Sequence, residues 1–212
     1  MGEKQRRAPE FVLASSSPRR HQLLHEARFD FHVVAPDIDE SASPGEAPVP
    51  LALRIAREKA SAVARSLDRH AVILAADTMV VLGERILGKP ADALEAQAML
   101  LSLSAATHRV LTGYAILRTD DAALLSGFVE SRVRMRAVTA AEASAYAAGG
   151  EPLDKAGAYA VQGEGGRFVE SIEGSRSNVI GLPVATVAVQ LAFFGVLPRA
   201  ASARERADEI AP

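Results

Sequence analysis

Five short stretches of the sequence carry groups suited to chemistry. Ser15-Ser16-Ser17-Pro18-Arg19-Arg20 lies where a short apolar run gives way to a helix start. The exposed N–H groups and dipole of a helix N-terminus favour anions there, and hydroxyls and guanidinium groups add donors matched to phosphate oxygens. The same residues also fit a serine cap followed by a solvated arginine pair, so this stretch alone leaves both readings open. Lys59, in Ala56-Arg57-Glu58-Lys59-Ala60, falls in the middle of the apolar stripe made by Ala52, Ile55, Ala56, Val63 and Leu67. A lysine at a buried position costs free energy unless it meets an anion, which makes Lys59 a functional candidate rather than a surface charge. Asp77-Thr78 directly follows the apolar run Ala71 to Ala76. In open α/β sheets ligands bind beyond the carboxyl ends of strands, where a carboxylate can hold a metal or take a proton from water. Lys89 follows a glycine in Gly88-Lys89-Pro90, and Asp154 to Gly163 with Gly165-Gly166 forms a glycine-rich segment that contains Lys155 and Gln162. Glycines allow close backbone approach to a ligand, and the Gln162 amide offers the donor and the acceptor that base recognition requires.

Two familiar alternatives fail on their own terms. Gly83-x4-Gly88-Lys89-Pro90 imitates a phosphate-binding P-loop, but Pro90 replaces the required Ser or Thr and removes one backbone donor. No glycine run satisfies the dinucleotide fingerprint. The histidines at 21, 25, 32, 70 and 108 lack metal-ligand spacing; His21 and His25 could share a helix face, which a polar surface also explains.

The elements that position these groups follow from apolar periodicity. Phe11 to Ala14 reads as a short buried strand and Ser17-Pro18 as a helix start, with Leu23, Leu24 and Ala27 on the apolar side. Phe29 to Val34 alternates like a strand, Pro36 to Pro50 reads as a loop, and Leu51 to Leu67 as a long helix. The continuous apolar run Ala71 to Ala76 marks a central strand covered on both faces, and Met79 to Leu82 either continues it or forms the next strand, with Gly83-Glu84 as a turn. Ala91 to Leu103 is predicted helical, Arg109 to Leu117 and Gly127 to Ala137 as neighbouring antiparallel strands, and Ala140 to Ala148 as a helix stopped by Gly149-Gly150. Phe168 to Ile172 reads as a strand and Pro183 to Phe194 as a helix. The alternation of strands and helices predicts an α/β fold with a mixed sheet. Residues 1–10 read as a flexible leader, 11–197 as the folded domain and 198–212 as a charged tail.

Composition narrows the function classes. A chain of 212 residues with 49% hydrophobic residues can bury a sizeable core. A net charge of −2 argues against a partner that is a nucleic-acid polymer. With no cysteine, thiolate metal sites are impossible, and any metal must be a hard ion held by oxygen or imidazole. The apolar stretch after the charged start is too short for an export signal, and Leu182 to Leu197 is too short and interrupted to span a membrane. Cytoplasmic localisation is the expectation.

Taken in order, Ser15-x-Ser17-Pro18-Arg19-Arg20, Ala56 to Ala60, Ala76-Asp77-Thr78, Gly88-Lys89-Pro90, Asp154-Lys155-Ala156-Gly157 and Gly181-Leu182-Pro183 resemble the Maf family. The likeness runs from Phe11 to Leu197, nearly the whole chain. It implies an elongated mixed sheet flanked by helices with a central cleft, related to the inosine triphosphatases. It also implies hydrolysis of the α–β phosphate bond of nucleoside triphosphates with a divalent metal: magnesium (Mg2+), with Mn2+ or Co2+ as alternatives. By resemblance Asp77 is the general base, Glu40 its acidic partner and co-ligand of the metal, and Lys59 and Lys89 the motif lysines. Ser15, Ser17, Arg20, Asp154 and Lys155 join them in binding substrate. Arg19, Thr78 and Gln162 match the branch acting on dTTP and UTP. A homodimer is a family-level expectation.

Charge supports this assignment. A triphosphate carries roughly three to four negative charges, which cations must offset before an anionic nucleophile can approach. The Gln162 amide can accept from the pyrimidine N3–H while donating to O4, an edge that uracil and thymine share. Two other readings share the same residues: a nucleotide-binding regulator of cell division with little turnover, and a house-cleaning hydrolase for modified pyrimidine nucleotides.

Overall fold

The computed structural model describes residues 9–200, so the leader and tail expected at the ends lie largely outside the described residues. Of the boundary residues, Glu10 opens the first strand, and Arg199 donates its N–H to the Arg28 carbonyl at 2.8 Å.

Seven strands form one mixed sheet. β1 (Glu10–Ala14) pairs in parallel with β2 (His32–Val34) on one side and with β3 (Ala71–Leu82) on the other. From β3 the sheet continues antiparallel through β5 (Thr107–Arg118), β6 (Leu124–Met135) and β7 (Val169–Glu173), and β4 (Arg85–Leu87) folds back onto β3. The strand predicted from Phe29 shortens to His32–Val34, because Phe29 turns into the core against Phe11, ring centroids 5.8 Å apart.

Strand alternation divides the helices between the two faces. Val12, Ala14, Ile73, Ala75 and Ala115 meet Ala56, Ala60 and Val63 of α2 (Pro48–Ser66). On the opposite face Phe11, Leu13, Val72, Leu74 and Ile116 meet Leu23 and Leu24 of α1 (Pro18–Glu26) and Val187 and Leu191 of α6 (Val184–Phe193). Farther along that face a separate core gathers Val80, Val110 and Val133 with Leu100 and Leu103 of α3 (Ala93–Leu103) and Tyr146 of α4 (Ala140–Ala148). The short helix α5 (Arg176–Ile180) sits between these two cores, with Ile180 against the first and Val179 against the second.

Three boundaries go beyond the periodicity, each for a local reason. α2 begins at Pro48, not Leu51, because both prolines fall in the first turn, where no intrahelical N–H is needed. Of the two courses open to Met79–Leu82, β3 takes the continuous one and runs on past Ala76. Antiparallel pairing with β5 from Val72 to Val81 carries it through Asp77-Thr78 as one strand of 12 residues. α5 has only 5 residues, too few for an apolar period to show. Among the described residues no helix is long and apolar enough to cross a membrane.

Candidate active site

The site forms where the sheet has a gap. One edge of β3 is paired with β5 without interruption, but the other is paired with β1 only as far as Ala75 and with β4 only from Val80. Between them, Ala76 to Met79 have no strand partner on that edge among the described residues. Asp77 and Thr78 occupy this window, so Asp77 lies inside a long strand rather than at its carboxyl end; the strand that ends there is its parallel neighbour β1. Consecutive side chains point to opposite faces, and the gap lets one cavity reach both. A cavity of about 290 Å³ is lined by Lys59 from the α2 face and by Thr78, Ile180 and Gly181 from the other.

Lys59 has 5% of its surface exposed yet carries a charge, and its position explains how. Its ammonium donates to Asp77 Oδ1 and to Glu40 Oε2, each at 2.8 Å. Two carboxylates therefore converge on a single cation. α2 can bring Lys59 this close because Gly113, the residue paired with Asp77 on β5, has no side chain. A Cβ there would lie 2.6 Å from the backbone of Ala52. The loop that carries Glu40 is tied to the same helix by Arg54, which grips the Glu46 carboxylate with two bonds of 2.8 Å and the Ser41 carbonyl with one of 2.9 Å. That bidentate grip holds the Glu46 carboxyl down to about 2.

On the opposite face Arg20 is buried. It donates to the Gly181 carbonyl at 2.8 Å, to Thr78 Oγ1 at 3.1 Å and, more loosely, to Ser15 Oγ at 3.4 Å. Burial lowers its pKa, and the negative charges of Asp77 and Glu40 oppose that shift. Thr78 Oγ1 also bonds Thr112 at 2.9 Å, and Thr112 reaches the Asn178 carbonyl at 3.3 Å. Arg20 thus braces Thr78 and α5 while it lines the cavity. Ser17 stands at the N-cap of α1, as predicted, but makes no side-chain cap bond. It is the Ser15 hydroxyl that accepts, from the Ser17 N–H at 3.1 Å.

The remaining wall is made by turns. Lys155 bonds Asp154, whose carboxyl is held below its usual range by that bond first and by Arg19 to a lesser degree. Gly157, at φ +69°, donates its N–H to the Gly88 carbonyl at 3.0 Å, which locks the loop of Lys155 to the loop of Lys89. A Cβ on Gly157 would meet Val80 at 2.8 Å. Among the described residues Arg19 and Lys89 have no salt-bridge partner, and the Gln162 side chain has no hydrogen-bond partner.

All the site residues singled out from the sequence line this one cavity: Ser15, Ser17, Arg19, Arg20, Glu40, Lys59, Asp77, Thr78, Lys89, Asp154, Lys155 and Gln162. Sequence reasoning missed Tyr159 and the α5 bracket. Tyr159 is a buried wall residue whose hydroxyl bonds His108 Nε2 at 2.7 Å. Burial holds His108 down to about 4, so the pair is uncharged. Its only signal was an aromatic inside a glycine-rich segment. Asn178, fully buried, ties Val110 and Ser131 at 3.0 Å each; a polar residue in a five-residue helix gave no pattern to read.

Comparison with known proteins adds an independent line. The model of the family described as Maf-like protein matches residues 10–194. The dTTP/UTP pyrophosphatase of Myxococcus xanthus is 52% identical over 194 residues, covering 90% of this chain and 96% of that protein. Proteins of the same name from Anaeromyxobacter dehalogenans and Geobacter sulfurreducens are 49% and 46% identical, over 87% and 88% of this chain and 93% and 97% of theirs. Among solved structures, a nucleoside-triphosphatase (dITP/XTP pyrophosphatase) of Mycobacterium abscessus aligns with a TM-score of 0.42 at 13% identity, covering 87% of this chain and 96% of that one, too loose a likeness to support an inference.

Proposed function

This chain belongs to the Maf family, and from that premise we propose that it hydrolyses the α–β phosphate bond of dTTP and UTP to give the nucleoside monophosphate and pyrophosphate. Relatives at 46–52% identity over most of the chain bear that activity as their name. The observation that carries the reading is the convergence of Glu40, Lys59 and Asp77 in a cavity also lined by Arg19 and Lys89, which have no salt-bridge partner among the described residues.

The mechanism follows from which groups are engaged and which are free. Lys59 fixes Asp77 through Oδ1, so Oδ2 can accept a proton from water aimed at the α-phosphorus. Arg19, Lys89 and Lys155 are placed to offset the phosphate charges, and the Ser15–Ser17 turn offers further donors at the start of α1. Arg20 holds Thr78 in place from behind.

Glu40 and Asp77 fit a divalent cation. Each spends one oxygen on the Lys59 ammonium and keeps the other, Asp77 Oδ2 and Glu40 Oε1, for a hard cation, and no third carboxylate or histidine joins them among the described residues. Held by these two residues, magnesium would supply positive charge beside the phosphates and would lower the pKa of a bound water. At the far end Gln162, exposed on its turn, meets the pyrimidine edge.

The test is a nucleotide panel, with and without magnesium, scored for both products. Monophosphate and pyrophosphate in equal amounts, fastest from dTTP and UTP, is the expected result. Tight binding of dTTP without release of pyrophosphate would instead favour a nucleotide-binding regulator.

A further inference from the structure

Gln162 stands on a segment with no helix or strand to hold it, and one buried-facing acid supplies what the backbone does not. The Glu151 carboxylate collects three donors: the Tyr146 hydroxyl at 2.7 Å, the Glu164 N–H at 3.1 Å and the Gly165 N–H at 3.2 Å. The Tyr146 oxygen in turn accepts the Ala160 N–H at 3.3 Å. The segment from Ala160 to Gly165 is therefore fastened on both sides of Gln162, and Ala160, Val161 and Gln162 line the active cavity. Tyr146 is itself fixed in the α3–α4 core, edge-on to Phe168 at 5.3 Å.

The glycines of the segment are spaced for this fastening. A Cβ on Gly163 would lie 2.6 Å from one Glu151 oxygen and 2.7 Å from the other, and one on Gly165 would lie 2.4 Å from the Tyr146 oxygen. Gly163 has an extended backbone, φ −173°, which any residue adopts, so what excludes a larger residue there is the Glu151 carboxylate. Lys155 is held separately, by its own N–H to Pro152 at 3.0 Å and by the Gly157–Gly88 bond.

We infer that Glu151 is a positioning residue for base selection: through Tyr146 and the amides of Glu164 and Gly165 it holds the Ala160–Gly165 segment so that Gln162 faces the substrate base. This rests on the reading of Gln162 as the base contact. Glu151 is not among the residues that line the active cavity, so its loss should loosen recognition and leave the chemical step intact.

The experiment measures kcat and KM for UTP, dTTP, CTP and GTP, together with amide exchange at Glu164 and Gly165, in Glu151→Gln, Gly163→Ala, Gln162→Ala and pairs of them. Glu151→Gln keeps the volume but sets an NH2 against one of the two backbone donors, which bond different carboxylate oxygens, and removes the negative charge that both amides meet. It should cut the preference for UTP and dTTP on the order of tenfold, through KM rather than kcat, and speed exchange at both amides. Adding Gln162→Ala should reduce the preference no further. Gly163→Ala should reproduce the Glu151→Gln effects on its own, and in a Glu151→Ala background its added effect should vanish because the clash is gone. Unchanged preference and exchange in Glu151→Gln, with preference lost in Gln162→Ala, would overturn the positioning role alone. Fast exchange in Glu151→Gln with preference intact in Gln162→Ala would overturn the base reading and this inference together. An equal fall of kcat on all four nucleotides, alongside a lower melting temperature, would mark Glu151 as merely structural.

Discussion

At the Asp77 end of the cavity the two carboxylates Asp77 and Glu40 meet a buried lysine inside the protein, whereas the Gln162 side chain has no hydrogen-bond partner among the described residues. Asp77 lies on a central strand, Lys59 on a 19-residue helix packed against it, and the two are joined to Glu40 by bonds of 2.8 Å. Gln162 lies between 3-10 turns and depends on a handful of side-chain bonds to backbone amides. The contrast fits two kinds of task. Displacing water toward phosphorus needs groups held to a fraction of an ångström, so they sit on regular elements with their rotamers locked. Telling one base from another needs only a difference in binding, and turns suffice for that. Substitutions at the first end should therefore harm all substrates alike, and those at the second should separate them.

The largest expected effect comes from Asp77→Asn. It preserves shape and removes the proton acceptor, so kcat should fall by roughly 10³-fold or more on every base while nucleotide binding persists. Turnover close to that of the parent protein would remove Asp77 from the base role and erase the contrast between the two ends. Next comes Gly113→Ala. The added Cβ drives α2 off β5 at Ala52, and overpacking of this kind costs about 1–3 kcal/mol. Because Lys59 moves with α2, kcat should drop for all nucleotides in step with the melting temperature. A drop confined to one base would show that the rigid end also discriminates.

The same contrast explains how much could be read in advance. Lys59 was visible because a long amphipathic helix makes a polar residue on its apolar stripe conspicuous, and Asp77 because an apolar run leads straight to it. The α2, α4 and β5–β6 elements were legible from periodicity and, for α4, from the Gly149-Gly150 stop; the Thr139–Glu142 capping box that starts α4 emerged only in the structure. What was not legible is tertiary. The end of β1 at Ala14 was legible, but nothing local says that β1 and β3 pair side by side so that β3 outruns its neighbour, and that mismatch opens the sheet at Asp77 and Thr78. Likewise Arg20 reads as a free cation in sequence, but the Gly181 carbonyl that claims it lies 161 residues away. The grip of Glu151 on Gly163 to Gly165 was hidden because a loop held by side chains has no period.

The third prediction sharpens the wall between the two ends. His108 is buried behind Tyr159 and held neutral, its pKa lowered by burial from 6.5 to about 4. In the unfolded chain the imidazole regains its ordinary value and takes up a proton that the folded state refuses. The unfolded state therefore binds more protons between these two values, and stability must rise with pH across that window. The contribution is fully present above about pH 6.5 and is lost progressively toward pH 4, a few kcal/mol in all. His108→Gln, which keeps a polar partner for Tyr159, should flatten this slope in urea melts taken from pH 4 to 7. An unaltered slope would show that His108 is reached by water and that the wall is not dry.

The smallest effect is expected at Gln162. Its side chain has no hydrogen-bond partner among the described residues, so Gln162→Ala should leave the unfolding free energy within about 0.5 kcal/mol of the parent protein's in urea melts. A substrate edge that loses a matched donor and acceptor pair should bind more weakly. A flipped amide fits the reversed pattern of cytosine, so CTP should lose about as much as UTP, whereas purines, whose second ring sets their edge elsewhere, should lose less. The ratio of kcat/KM for UTP over GTP should therefore shrink by on the order of tenfold, with kcat on each nearly constant. If kcat fell equally on all bases instead, Gln162 would belong with Asp77 and Lys59 as part of the phosphate chemistry, and the division of labour along the cavity would fail at the residue where it is easiest to measure.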